Sequence, residues 1–217
     1  MHDQLHEVLC RSDELEQAIH RATWFDGPVQ SAGAALAHGQ AIHSMELAQA
    51  LRLLLRESLD ASAMALVRVQ FESTARAVWL AGAATEEQIA HYLTPAPDGE
   101  LKGANQGPAV GEMLNAIARG PAAHVASALQ LLKDATWRAM NHYSHGSLVA
   151  VAQAIAPRQP ETLARAVLNS NGMLLIAANV ALIATEHRST AVLRDIATEF
   201  ADCLPPAASS APTASTT

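Results

Sequence analysis

The segment from residue 64 to residue 80 constrains the fold most, because it is apolar on nearly every side of a helix. Its letters are MALVRVQFESTARAVWL. A helix of this kind must be surrounded by other helices, so it belongs at the centre of a bundle. The composition agrees: aromatic residues make up only 4% of the chain, and alanine, the strongest helix former, is abundant.

Apolar residues recur at spacings of three and four along most of the remaining chain, which is the period of an amphipathic helix. The pattern predicts helices over about 3–23, 31–58, 60–81, 86–93, 108–118, 121–143, 161–186 and 190–203, with a short apolar segment at 148–155. Expected helix starts are N-caps at Ser31 and Asp60, a capping box of Thr85 and Gln88, and Pro160 at a first helical position. The sequence therefore predicts an all-α, single-domain helical bundle of about seven to nine helices over residues 1–204.

Two segments fall outside this helical pattern. Residues 94–106 form a long internal stretch rich in Pro, Gly and Asp, and loops of that length in compact domains are often functional. Residues 205–217 read PPAASSAPTASTT and have no apolar side chain large enough to bury. We expect this C-terminal tail to be disordered.

Charge and cysteine content bound the class of protein. The formal net charge of −7 disfavours a general nucleic-acid binder and adsorption to anionic membranes, although it leaves room for a local basic pocket. Cys10 and Cys203 are too few for a disulfide scaffold. The N-terminus lacks the apolar core of a signal peptide, and the most apolar run, 172–184, is shorter than the ~20 residues of a membrane span. We expect a cytoplasmic protein that does not enter a membrane.

A charged stripe crosses the central apolar helix. Arg68, Glu72 and Arg76 stand at i, i+4 and i+8, so they lie on one face. Burying charges costs several kcal/mol unless they are paired, so charges in this stripe must be compensated by pairing or kept for a function. It either contributes to a binding pocket or is structural, with Glu72 bridging the two arginines and fixing how the helices pack.

A second polar group marks the end of the helix predicted over 121–143. If the helix continues to Gly146, then Arg138, Asn141, His142 and His145 share a face. Histidine can act as a general acid or base near neutral pH, and arginine binds phosphate with two hydrogen bonds. The alternative is that these residues only cap the helix, since cations are favoured at a helix C-terminus.

These two regions resemble the hallmarks of a known family. The stretches ALVRVQFE at 65–72 and WRAMNHYSHG at 137–146 are similar, in order and separation, to two hallmarks of an uncharacterised, mostly proteobacterial family of helical proteins. The resemblance covers residues 30–200 and implies a helical bundle from a bacterium. It implies no activity, because the family has none assigned.

Arg138 and His145 also resemble the Arg-x4-6-His motif of HEPN-type proteins, which are helical bundles of toxin–antitoxin and phage-defence systems. Many members are metal-independent ribonucleases whose motif is completed across a dimer. The resemblance implies an RNA substrate, with Arg138 stabilising the phosphate and His145 acting on the 2′-hydroxyl or the leaving oxygen. This chain has Ala139 directly after the arginine, where the family often has a polar residue.

Other chemistries find little support in the sequence. His38 and His43 are five apart and do not share a helical face, and no H-E-x-x-H motif is present. A metal held by His142, His145 and Glu72 stays open as an alternative if the helices meet. The chain has neither the G-x-S-x-G of hydrolases nor a phosphate-binding loop with its lysine. We expect no metal and no cofactor.

The sequence leaves two functional hypotheses. The chain is a defence- or toxin-type ribonuclease, or it is a non-catalytic interaction or regulatory module whose polar stripe is structural. Alanine-rich helices with apolar stripes commonly pair with a second copy, so we also expect a homodimer. Any partner protein is unidentified.

Overall fold

The computed structural model is an all-α helical bundle, and it describes residues 2–24, 29, 31–94, 107–144, 148, 151, 155, 159–185 and 190–206. Within its helices, the side chains of seven residues fall outside the description: His2, Asp3, Ala135, Arg138, Ala139, Met140 and Ser144. The predicted all-α fold class is confirmed.

The helices of the described residues follow one another in the order predicted from the sequence. They are α1 (His2–Thr23), α2 (Ala32–Arg56), α3 (Asp60–Gly82), α4 (Glu86–Leu93), α5 (Val110–Ala118), α6 (Ala123–Ser144), α7 (Pro160–Thr185) and α8 (Ala191–Glu199), followed by a 3₁₀ turn (Ala201–Cys203). Residues 95–106, Gly146 and residues 207–217 lie outside the described part of the chain, so the predictions for the long loop and for the tail stay predictions.

Helix α3 lies at the centre of the bundle, as its all-round apolar sequence predicts. It packs against α2, α5, α6 and α7. Phe71 and Trp79 are among its fully buried side chains. A helix that is contacted on all sides exposes little of its own surface, so a charged group on α3 must lie in a gap between neighbouring helices.

Helix α7 contains the apolar run at 172–184 and is buried along most of its length against α1, α2 and α3. Its length and composition would also allow it to cross a membrane, and it is the one such helix in the described part of the chain. A mostly buried helix inside a bundle meets the same criteria, so burial among other helices accounts for its apolar sequence.

Most predicted helix starts are confirmed. The Ala34 N–H donates to Ser31 Oγ at 3.1 Å, and Thr85 and Gln88 form a reciprocal capping box. Pro160 is the first residue of α7, a position that needs no N–H donor.

The predicted N-cap at Asp60 is wrong, because Leu59 occupies that position and Asp60 already belongs to α3. The tight turn from α2 to α3 sets this register: Ser58 adopts a left-handed φ of 60°, and the Leu59 N–H donates back to the Leu54 carbonyl. The predicted helix over 190–203 is also interrupted at Phe200, where α8 ends and the 3₁₀ turn begins.

Candidate functional site

Arg68 on α3 makes polar contacts with α6. Arg68 Nη1 donates to Asn141 Oδ1 at 2.7 Å, and Arg68 Nε donates to Glu72 Oε1 at 2.8 Å. The guanidinium carbon also lies over the Trp137 ring, 5.2 Å from its centroid. The structure thus joins the two polar groups that the sequence singled out, since Arg68 and Glu72 come from the stripe on α3 and Asn141 from the end of α6.

This cluster is partly open to solvent. The side chains of Arg68 and Glu72 are 23% and 29% exposed, and Asn141 and His142 are half-buried. An arginine of this exposure keeps part of its hydration, whereas a sealed ion network would lose it entirely. The cluster can therefore be reached from water, which any binding or catalytic role requires.

The remaining predicted site residues are placed to different degrees. Arg76 is half-buried on α3 but lies two turns beyond Arg68, about 12 Å further along the helix axis. Arg138 belongs to α6 one turn before Asn141, and its side chain lies outside the described residues, as does all of His145. Arg68 is in direct contact with Glu72 and Asn141. A pocket built from Arg68, Glu72, Arg76, Arg138, His142 and His145 stays a prediction.

Lys133 and Trp137, which the sequence did not single out as site residues, also contact this region. The Trp137 ring packs edge-on against Phe71, with centroids 6.0 Å apart, and the Lys133 ammonium lies over the same ring at 5.5 Å from its centroid. Lys133, Trp137 and Asn141 stand at i, i+4 and i+8, the same spacing that identified the stripe on α3. That spacing was the sequence signal by which Lys133 and Trp137 could have been found.

A metal site is not visible in this region. Among the residues that the structure describes, no group of three His, Cys, Asp or Glu side chains could hold an ion. Because His145 falls outside that set, the alternative of a metal held by His142, His145 and Glu72 is not tested.

A second charged cluster lies between α1 and α2 and was missed entirely by the sequence analysis. Arg52 is 1% exposed and pairs through Nε with Asp13 at 3.3 Å and through Nη2 with Glu16 at 2.5 Å. Arg56 pairs with the same Asp13 and donates to the Leu9 carbonyl at 3.3 Å. These contacts connect α2 to α1. Both helices also pack on α7.

The same two helices border a cleft of about 670 Å³. His38 is one of its lining residues, and burial lowers the pKa of this imidazole because desolvation disfavours its charged form. Arg52, Asp13 and Glu16 also line this cleft, and the nitrogens of Arg52 are themselves hidden from solvent. The guanidinium of Arg52 pairs with carboxylates of α1 at the floor of this cleft.

Comparison with known proteins gives one match. A family model described as a family of unknown function (DUF6988) matches residues 41–206, which include both α3 and α6. No curated protein and no solved structure matches the chain.

Proposed function

The chain belongs to a family of unknown function, and we propose from its α3–α6 cluster that it is a metal-independent ribonuclease of the HEPN type. The observation that supports the proposal most is the hydrogen bond from Arg68 to Asn141. It holds the ion pair of Arg68 and Glu72 beside the end of α6, which contains Arg138 and His142 and which His145 follows in the sequence. An arginine and a histidine close together in the sequence suit phosphodiester cleavage without a metal.

The reaction needs two proton transfers and a cation. The ribose 2′-oxygen bonds to the adjacent phosphorus as the bond to the 5′-oxygen breaks, giving a 2′,3′-cyclic phosphate and a free 5′-hydroxyl. His145 takes the 2′-hydroxyl proton or protonates the leaving oxygen, and His142 is the candidate for the other transfer. Arg138 binds the phosphate oxygens, on which negative charge develops in the transition state. Arg68, Glu72 and Asn141 are positioning residues that hold the end of α6.

Incubation of the purified protein with mixed-sequence RNA in excess EDTA tests this directly. We expect products ending in a 2′,3′-cyclic phosphate, and we expect Arg138→Ala and His145→Ala to lower the rate by about 100-fold or more, since general acid–base catalysis contributes that much. The unfolding midpoint should stay unchanged. Arg119→Ala and His124→Ala are matched controls, because both residues are exposed, one just before α6 and one in its first turn.

A specific observation favours a second candidate, a non-catalytic interaction or regulatory module. The guanidinium of Arg68 is already in contact with Glu72, Asn141 and Trp137, as expected of a group that only fixes helix packing. This candidate gains if the wild-type protein leaves RNA intact. It also gains if Arg138→Ala and His145→Ala lower the unfolding midpoint instead of the cleavage rate.

The proposal includes a cytoplasmic homodimer. Both cysteines are free thiols, which agrees with a reducing compartment. Val69 on α3 and Leu131 on α6 are large apolar side chains exposed on the two helices of the site, where a second copy could cover them. Sedimentation equilibrium measures the mass directly. A monomer at all concentrations up to about 100 μM would contradict the dimer, because a Kd of that size corresponds to only about 5.5 kcal/mol of association free energy.

A further inference from the structure

The stripe of Lys133, Trp137 and Asn141 on α6 extends the cluster beyond the residues with a proposed role in cleavage. Two cations, Lys133 and Arg68, lie within 6 Å of the centroid of one indole ring. The chain has a net charge of −7 and only two lysines, Lys102 and Lys133. On so acidic a chain, a lysine placed beside an aromatic ring is a candidate contact for an anionic ligand.

Lys133 differs from Arg68 in its pairing within the described part of the chain. Arg68 is neutralised by Glu72, whereas the Lys133 ammonium forms no ion pair within the described part of the chain and lies over the face of Trp137. A half-buried lysine on a flexible four-carbon stem can leave a cation–π contact at little cost, because such contacts are weak where solvent reaches them. The ammonium is therefore available to a phosphate group.

Trp137 is fixed in place more firmly than Lys133. Its edge packs against the buried Phe71, and the guanidinium of Arg68 is itself held by two hydrogen bonds. Trp137 is nevertheless only partly buried. An indole held in this way, with a lysine side chain over its ring, can accept a planar group in place of that side chain.

We propose that Trp137 and Lys133 form a binding surface for single-stranded RNA, in which an unpaired base stacks on the indole and the displaced Lys133 ammonium pairs with a backbone phosphate. This inference rests on the proposed function, because it names the substrate class of the same site. A base inside a duplex is covered on both faces by its neighbours, so only an unpaired base can stack on a side chain. The surface thus selects single strands over duplexes and is tolerant of sequence.

The test separates binding from cleavage. Fluorescence anisotropy of the full chain uses a labelled single-stranded RNA of about 12 nucleotides, within the length that single-strand binding folds cover. The RNA has 2′-O-methyl groups, so it cannot be cleaved. The same oligonucleotide annealed to its complement is the duplex probe. We expect the single strand to bind about tenfold more tightly than the duplex, with an affinity that falls as salt rises.

The variants identify the two contacts. Trp137→Leu should weaken single-strand binding about tenfold, within the range for loss of one stacking platform. Lys133→Gln should weaken it less, and should reduce the dependence of log affinity on log salt by about one ion. Lys133→Arg should restore both values. Trp24→Leu and Arg119→Gln are matched controls, because these residues are exposed and lie outside α6. If Trp137→Leu does not fold, Trp137→Phe and Lys133→Gln provide the test.

Three results would overturn the inference. The first is no binding of the single strand up to about 100 μM, the weak limit of non-specific nucleic-acid affinity. The second is equal affinity for the duplex. The third is a change in sedimentation rather than in RNA affinity for the Lys133 and Trp137 variants, which would make this face a protein interface. A wild-type protein that binds the 2′-O-methyl strand but never cleaves natural RNA contradicts the proposed ribonuclease and leaves this inference standing.

Discussion

Arg52 on α2 and Arg68 on α3 both lie among apolar residues and both pair with carboxylates, yet their surroundings differ. Arg52 is 1% exposed, and its partners Asp13 and Glu16 come from another helix. Arg68 is 23% exposed, its carboxylate partner Glu72 lies on its own helix, and its contact with α6 is to the neutral amide of Asn141. Arg52 is therefore a structural connection between helices, whereas Arg68 lies where solvent and a ligand can reach.

The largest effect we expect comes from Arg52→Ala. Removing one partner of a buried ion pair leaves the others uncompensated and costs 3–5 kcal/mol in general. Asp13 and Glu16 stay partly exposed and Asp13 keeps Arg56, so we expect about 3 kcal/mol, at the low end of that range. Urea unfolding measures the loss. A loss below about 1 kcal/mol, typical of exposed pairs, would contradict the structural role of Arg52.

Arg68→Met sharpens the comparison, because it keeps the volume of the side chain but removes its hydrogen bonds. We expect a loss of about 1 kcal/mol of unfolding free energy, since the ion pair is partly solvated and each hydrogen bond contributes about that much. Arg68→Lys, which retains the charge but not the two-directional donor geometry, is the control. A loss as large as that of Arg52→Ala would remove the distinction between the two arginines.

Ser58→Gly acts on the turn that joins the helices of the two arginines. Ser58 has a left-handed φ of 60°, which glycine adopts without the steric cost that a side chain adds. We expect the free energy of unfolding to rise by about 0.5 kcal/mol, less than the full cost because glycine also loses more entropy on folding. Ser58→Ala is the matched control, and a stabilisation by alanine equal to that by glycine would show that φ is not the cause.

The smallest effect we expect is a pH dependence of the unfolding free energy that comes from His38 beside the α1–α2 cleft. Burial lowers the pKa of His38 in the folded state below its ordinary value of 6.5. The unfolded chain therefore binds more protons as the pH falls through 6.5, so stability decreases from there down to the folded-state pKa and then levels off. His38→Gln should remove this component from the unfolding free energy measured between pH 8 and pH 5. An unchanged profile would show that other groups cause it.

The helices could be predicted from the sequence because their signals are local. The three-and-four spacing depends only on chain geometry, and Ser31, Thr85 and Pro160 act within one turn of the helix that they begin. Asp60 failed as a predicted cap because the backbone angles of Ser58 and Leu59 decide which residue precedes the helix. A turn that depends on packing between two helices leaves no such signal in the sequence.

The candidate site was predicted only in part for the same reason. Arg68 and Glu72 share a face by their spacing, and Asn141 lies in the predicted polar group near the end of α6, so both halves were visible in the sequence. That the halves touch through Arg68 and Asn141 depends on how α3 and α6 pack. Lys133 and Trp137 went unweighed because a lysine and a tryptophan one turn apart are ordinary on a helix until a second helix places Arg68 beside them.

The sequence by itself determined that this chain forms helices, that α3 is surrounded by the others and that charges on it need a reason. Periodicity and composition act through the local backbone and through the burial of apolar area, so they can be interpreted without knowing which helices pack together. Only the tertiary structure decided that Arg52 is buried against α1 while Arg68 is partly exposed beside α6. Two arginines with similar neighbours in sequence differ because desolvation and pairing depend on the distance to groups on other helices, which spacing along the chain does not encode.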